Sequence, residues 1–331
     1  MRELIDKAIF DLFQGLFLSI TDLTGEFLAD AQAIAAIAML LYFAMQAYGM
    51  MAGDETLRIM PLLRPFALTL IIVLWSPFIE VINFPLQVVN DSSRAMYEGQ
   101  IDQVEDMHVE RMALIDSVAR KMSDTVADAE QVNGEATDKA WYEQIGIDLD
   151  PLINKMKGYY LMITARINFA MMRLLEFIVI TIFQVCTYII FFLQIIFAAI
   201  LVILGPFSFA LSILPGFRES YLTWIGRYIS VGLYSTIGFI IMSISFVLVK
   251  YGLQREIDIL RAVLADEDLF IVYVSSSSGN ISFFIVALII GALAMLTIPV
   301  ISTWIINTSG IGQAIGSMVG GGMKAGRSLG K

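Results

Sequence analysis

The chain has 331 residues, 58% of them apolar and 16% charged, with a mean hydropathy of +0.76 and a net charge of -10. That balance is too apolar for an ordinary soluble domain and points to a polytopic membrane protein. One cysteine, Cys186, precludes an intramolecular disulfide, and one histidine, His108, lies far from it in sequence, which argues against thiol catalysis and His/Cys metal sites.

Residues 1–28 read as an amphipathic helix. Between residues 4 and 23, Leu4, Ile5, Ala8, Ile9, Leu12 and Leu16 recur at threes and fours, opposite Glu3, Asp6, Lys7 and Asp11. Such a helix lies in the membrane interface or packs on its own protein, and the pattern leaves both open. No small-residue cleavage pattern follows a basic start, so no removable signal peptide is expected. Residues 29–89 hold the first two expected spans, residues 29–51 and 65–89. Pro77 and Pro85 predict that the second is bent or ends early. Near its end, Glu80 and Asn83 read as solvated or capping groups, with cation binding as the sharper alternative.

Residues 90–157 differ in kind, with fifteen acids against seven bases, a net charge of minus eight. Their apolar positions form one stripe: Ile101, Val104, His108, Ile115, Val118, Met122, Val126 and Ala129, at steps of three and four with one step of seven after His108. This predicts a long amphipathic helix in a water-soluble helical domain, with Asn133-Gly134, Gly146 and Asp150-Pro151 as turn signals. A lone histidine on such a stripe reads as a packed residue before it reads as a ligand. Because a nucleic-acid surface gains affinity by releasing counterions through Lys and Arg, this domain is expected to repel phosphate and to dock proteins.

Residues 158–306 hold three further expected spans. The third helix begins near Asp150 or Pro151, and residues 177–204 are 28 positions without a charge, ample for a hydrocarbon core of ~30 Å. Gly205-Pro206 and Pro215-Gly216 predict two breaks, making residues 205–223 a re-entrant or interfacial hairpin ahead of Trp224. Residues 228–249 and 281–306 are spans four and five, joined by a charged loop. Residues 307–331 form a glycine-rich basic tail in which Gly312, Gly316 and Gly320, spaced by four, suit close helix packing in an oligomer, with a flexible tail as the plainer alternative. The whole is an all-α fold of about five transmembrane helices with an amphipathic N-terminal helix and a helical extramembrane insertion. Basic residues in short loops place the N-terminus outside and the tail inside, seven against five.

At about 100° per residue, Arg166, Arg173, Glu176, Gln184, Thr187 and Gln194 share one arc of the third helix. Polar side chains in lipid are costly, so this stripe is expected to face another span, a neighbouring subunit or a lumen. Simple helix packing, with Arg173 and Glu176 paired three apart, is the blander reading. Arg218 and Arg227 read as cytoplasmic anchors.

The run from Gly205-Pro206-Phe207-Ser208 through Ser212-Ile213-Leu214-Pro215-Gly216-Phe217-Arg218-Glu219, followed by Trp224, Arg227-Tyr228 and Gly232-Leu233-Tyr234, resembles the signature region of TraJ proteins of conjugative transposons. These belong with the TrbL-type polytopic inner-membrane subunits of type IV secretion systems. The resemblance implies a multi-pass subunit of the bacterial inner membrane, with a periplasmic N-terminus and central loop and a cytoplasmic C-terminus. It further implies a homo-oligomeric ring among other secretion subunits and membrane lipids, in the path of a single-stranded DNA–protein complex in transit. No stable nucleic-acid binding by the acidic domain, no catalytic residues, no metal and no cofactor are expected; bound phospholipid is the one small-molecule component envisaged. Two rivals remain: a secondary transporter, which calls for an internal repeat that the halves do not show, and a scaffold that never contacts substrate.

Overall fold

Prolines decide where several helices of this chain end. Proline has no N–H to give the carbonyl four residues back, and its ring crowds that carbonyl. The computed structural model describes residues 9, 10, 12, 15, 16, 19, 24–52, 59–135, 150–275 and 283–306. The expectations for most of residues 1–23, for Gly146 and for the tail with Gly312, Gly316 and Gly320 lie outside these. The described elements are α1 (Thr24–Met51), α2 (Ile59–Val73), α3 (Trp75–Glu135), α4 (Asp150–Leu211), a 3-10 turn (Pro215–Phe217), α5 (Ser220–Ala265), α6 (Glu267–Ser275), α7 (Phe283–Leu296) and α8 (Ile298–Ile305). Among the described residues there is no strand.

The second expected span is two helices. Pro77 cannot donate to Val73, so α2 ends there and α3 departs at 86°. The fifth divides in the same way: Pro299 cannot donate to Met295, α7 stops at Leu296, and α8 leaves at 58°. Three helical stretches are long and apolar enough to cross a membrane, Phe27–Met51, Arg166–Leu211 and Pro215–Ala265, or up to five if each bent pair counts as one span.

Two expectations are corrected. The charged segment after residue 249, read as a loop, continues α5 to Ala265. Val249, Leu253, Ile257, Leu260 and Val263 recur at fours and threes and are all buried, so the helix goes on as an amphipathic one. It ends where Asp266 accepts the Asp268 and Leu269 amides at 2.9 and 3.3 Å and caps α6. The hairpin, read as opening at Gly205-Pro206, opens after Leu211, because α4 runs through Pro206 unbroken.

The residues form two compact units. The first comprises Tyr97–Val185 with Met242–Leu293. Its interior includes Ile101, Val104, Phe183, Phe246 and Phe284, and a cluster of Val118, Met122, Leu260, Val263 and Phe270. Gly291 lets α7 approach α5, since a Cβ there would lie 2.6 Å from Ser245 Oγ and 2.9 Å from Phe183. The second unit draws on Ile5–Met96, Cys186–Ile241 and Ala294–Lys331. Its core is aromatic: Trp75, Phe78, Phe209 and Trp224 have ring centroids 5.2–6.4 Å apart, and Trp224 stacks on Tyr228 at 5.1 Å. Phe10 packs on Phe191 and Phe239, so that residue of the N-terminal segment is held against its own protein.

Candidate functional site

In the first unit the striking departure from an apolar interior is one charged cluster. The buried stripe of α3 skips from His108 to Ile115, and the missing position at a step of three is Arg111. Its side chain is only 6% exposed. Arg111 Nη1 donates to both carboxylate oxygens of Glu176 at 3.1 Å, and its Nε donates to Glu256 Oε2 at 2.5 Å. His108 Nε2 lies 2.6 Å from Glu176 Oε1. The Phe284 ring covers the guanidinium at 5.6 Å, a cation–π contact that adds to the pairing. One cation from α3 thus holds a carboxylate from α4 and another from α5. Burial, with the Glu256 carboxylate nearby, pushes the Tyr273 phenol up, against a smaller opposing pull from Arg111.

Around this node the surface pairs are peripheral. Arg173 reaches Asp116, Arg261 reaches Glu110, and Lys250 reaches Gln103. Lys121 donates to the Leu264 carbonyl at 3.2 Å and sits 4.8 Å over the Phe270 ring. Asp102, Asp106, Glu110 and Asp116 remain on the exposed side of α3. Arg173 and Glu176 therefore each find their partner on α3.

The second unit builds its site around Pro206. Within α4 that proline leaves the Val202 carbonyl without its usual donor, and the Trp75 indole N–H supplies one at 3.1 Å. The Trp224 indole donates to the next carbonyl up the chain, Leu201, at 2.8 Å. Gly205 is glycine because both rings occupy the place of a side chain: a Cβ would meet the Trp75 ring and come within 2.9 Å of Trp224. The connection beyond is tied by serines. Ser208 Oγ lies 2.9 Å from Ser220 Oγ, and Ser212 Oγ accepts the Tyr221 amide at 2.9 Å while donating to the Ser208 carbonyl. Arg64 donates to the Arg218 carbonyl and lies over the Tyr221 ring.

The residues singled out from sequence are thus distributed. Arg166 and Arg173 are exposed, Glu176 is in the charged node, and Gln184 is half-buried. In the second unit Thr187 is buried, and Gln194 donates to the Gly232 carbonyl at 3.2 Å and Ser235 Oγ at 3.1 Å. Gly205, Pro206 and Trp224 form the clamp, whereas Pro215, Gly216, Arg218 and Arg227 are exposed. Asn83 accepts from the Tyr228 hydroxyl at 2.8 Å, and Glu80 is exposed. Arg111 and Trp75 were not singled out. The skipped stripe position marked the first, and a helix proline demanding an outside donor called for the second. Among the described residues, no group of three or more His, Cys, Asp or Glu side chains is placed to hold a metal ion.

The model of the family described as homologues of TraJ from a Bacteroides conjugative transposon matches residues 7–328. No match was found among curated proteins or among solved structures.

Proposed function

Since the chain belongs to the family of TraJ homologues of Bacteroides conjugative transposons, we propose that it is a non-enzymatic subunit of a conjugation machine in the bacterial inner membrane. Copies of it assemble into a ring in the path of the DNA–protein substrate, together with other type IV secretion subunits, and partner ATPases supply the energy. The observation that carries this reading is the family match over nearly the whole chain, on a protein whose long apolar helices suit a membrane.

The structure bears on the roles of its parts. The charged node ties three helices together through groups that bond one another, which suits a framework that transmits load. The acids left on the exposed side of α3, Asp102, Asp106, Glu110 and Asp116, give that face no gain from phosphate contacts. It serves to dock proteins, and the periplasmic side is where the proposed topology puts it.

In-frame deletion of the gene in a donor strain tests the reading. Transfer to recipients is expected to fall below detection and to return on complementation, while donor growth is unaltered. A deletion strain that still transfers at the parental frequency would contradict it. A photoreactive residue at Asp102 or Asp106 is expected to crosslink protein and not the transferred strand.

A further inference from the structure

Near its start α3 carries apolar side chains on its outer face and polar ones beside a cleft. Val81, Phe84 and Val88 are exposed, at 71, 69 and 52%, whereas Asn83, Gln87, Asn90, Asp91 and Arg94 line a cavity of about 270 Å³ within the second unit. Gln87 and Asp91 are themselves exposed, so the cavity is a cleft open at the surface of this unit, with polar lining beside an apolar outer face. Gln194 and Ser235 line the same cavity from α4 and α5, and Phe10, Phe191 and Phe239 form an apolar wall. The volume is near the lower limit of small-molecule pockets, ~300 Å³. It suits a headgroup and the start of a chain better than a whole lipid.

The lining chemistry narrows the occupant. Among the described residues it has one carboxylate, Asp91, and one guanidinium, Arg94, a turn apart. That balance favours neither a polyanion nor a bare cation; it matches a ligand carrying both signs. The Asn90 amide oxygen is buried with no hydrogen-bond partner among the described residues, an acceptor in need of an N–H donor. Tyr228 already satisfies the Asn83 oxygen, and Asn90 and Asp91, adjacent on α3, offer a neighbouring pair of acceptors for a new donor. The apolar wall and the outward apolar face of the same helix favour an amphiphile over a soluble zwitterion.

We propose that this cavity binds the headgroup of a zwitterionic phospholipid with a primary ammonium, the ammonium on Asn90 Oδ1 and Asp91 and the phosphodiester on the Arg94 side. The site stands on the cavity itself and is independent of the role in conjugation. A quaternary ammonium has no N–H to donate, and an anionic headgroup has no cation for Asp91.

The test is native mass spectrometry of the delipidated full-length chain in detergent, titrated with phosphatidylethanolamine, phosphatidylcholine, phosphatidylglycerol and free phosphoethanolamine. Phosphatidylethanolamine is expected to bind about tenfold more tightly than phosphatidylcholine, the worth of one charge-assisted hydrogen bond. Asp91→Asn is expected to weaken that preference, because the charge is lost while amide acceptors remain, and Glu80→Gln, outside the cavity lining, to keep it. Equal binding of the three lipids, or tightest binding of phosphatidylglycerol, would overturn the proposal. So would an Asp91→Asn chain that keeps the preference in full, or binding of phosphoethanolamine without its diacyl lipid. The ranking on the unmodified chain decides the matter even if a variant fails to fold.

Discussion

Replacing Arg111 by Leu is expected to destabilise the first unit by about 3–5 kcal/mol, the cost of leaving a buried charge without its partner. The change takes the guanidinium from Glu176, whose side chain is 6% exposed, leaving it the His108 contact, and from Glu256, at 23%. The Arg111→Leu/Glu176→Leu double variant is expected to recover part of the loss, because it removes a charge together with its counter-charge. Arg173→Ala supplies the contrast. Its pair with Asp116 is about half exposed on both sides, at 50 and 56%, and pairs of that kind contribute roughly 0–1 kcal/mol. Thermal unfolding of the purified chain in detergent would read all three. Equal losses for Arg111→Leu and Arg173→Ala would mean that the node is not the buried ion cluster described above.

The second large effect is expected at Trp75. Trp75→Phe keeps an aromatic ring but removes the N–H that serves the Val202 carbonyl, and an unsatisfied buried acceptor costs about 1–3 kcal/mol. In a span no water is at hand to substitute, which favours the upper end. Trp224→Phe is expected to cost less, since Leu201 still receives the Gly205 amide in the helix. The discriminating variant is Pro206→Ala. It restores an N–H for Val202, so the penalty of Trp75→Phe is expected to shrink in that background, read as a double-mutant cycle on thermal stability. An unchanged penalty would show that the indole matters only as packing.

How much of this was legible in sequence depends on the kind of signal. The apolar runs and the stripe from Ile101 to Met122 were readable because burial imposes a period, and the all-helical membrane class follows from them. The stripe also concealed its most consequential member: a rule that counts apolar residues passes over Arg111, although a basic residue at the one skipped position is itself a signal. Prolines were an uneven guide: Pro77 marked the bend expected of the second span, while α3 runs on through Pro85. Pro77 and Pro299 end helices by local chemistry, whereas Pro206 does not, because Trp75, distant in sequence, supplies the missing donor. A partner on another helix cannot be read from a local window. The same holds for residues 250–265: charge alone read as loop, while Leu253, Ile257 and Leu260 at helical spacing marked a continuing helix. The members of the polar arc on α4 serve two units, Glu176 in one and Gln194 in the other.

The central claim, that this chain works as a ring of copies in a conjugation machine, is tested most directly by the mass and symmetry of the complex purified in detergent or nanodiscs. The account predicts a mass that is a whole multiple of the 36.8 kDa chain and class averages showing a closed ring with a central opening. A particle that stays a monomer or simple dimer, both alone and with its partner subunits, would contradict it.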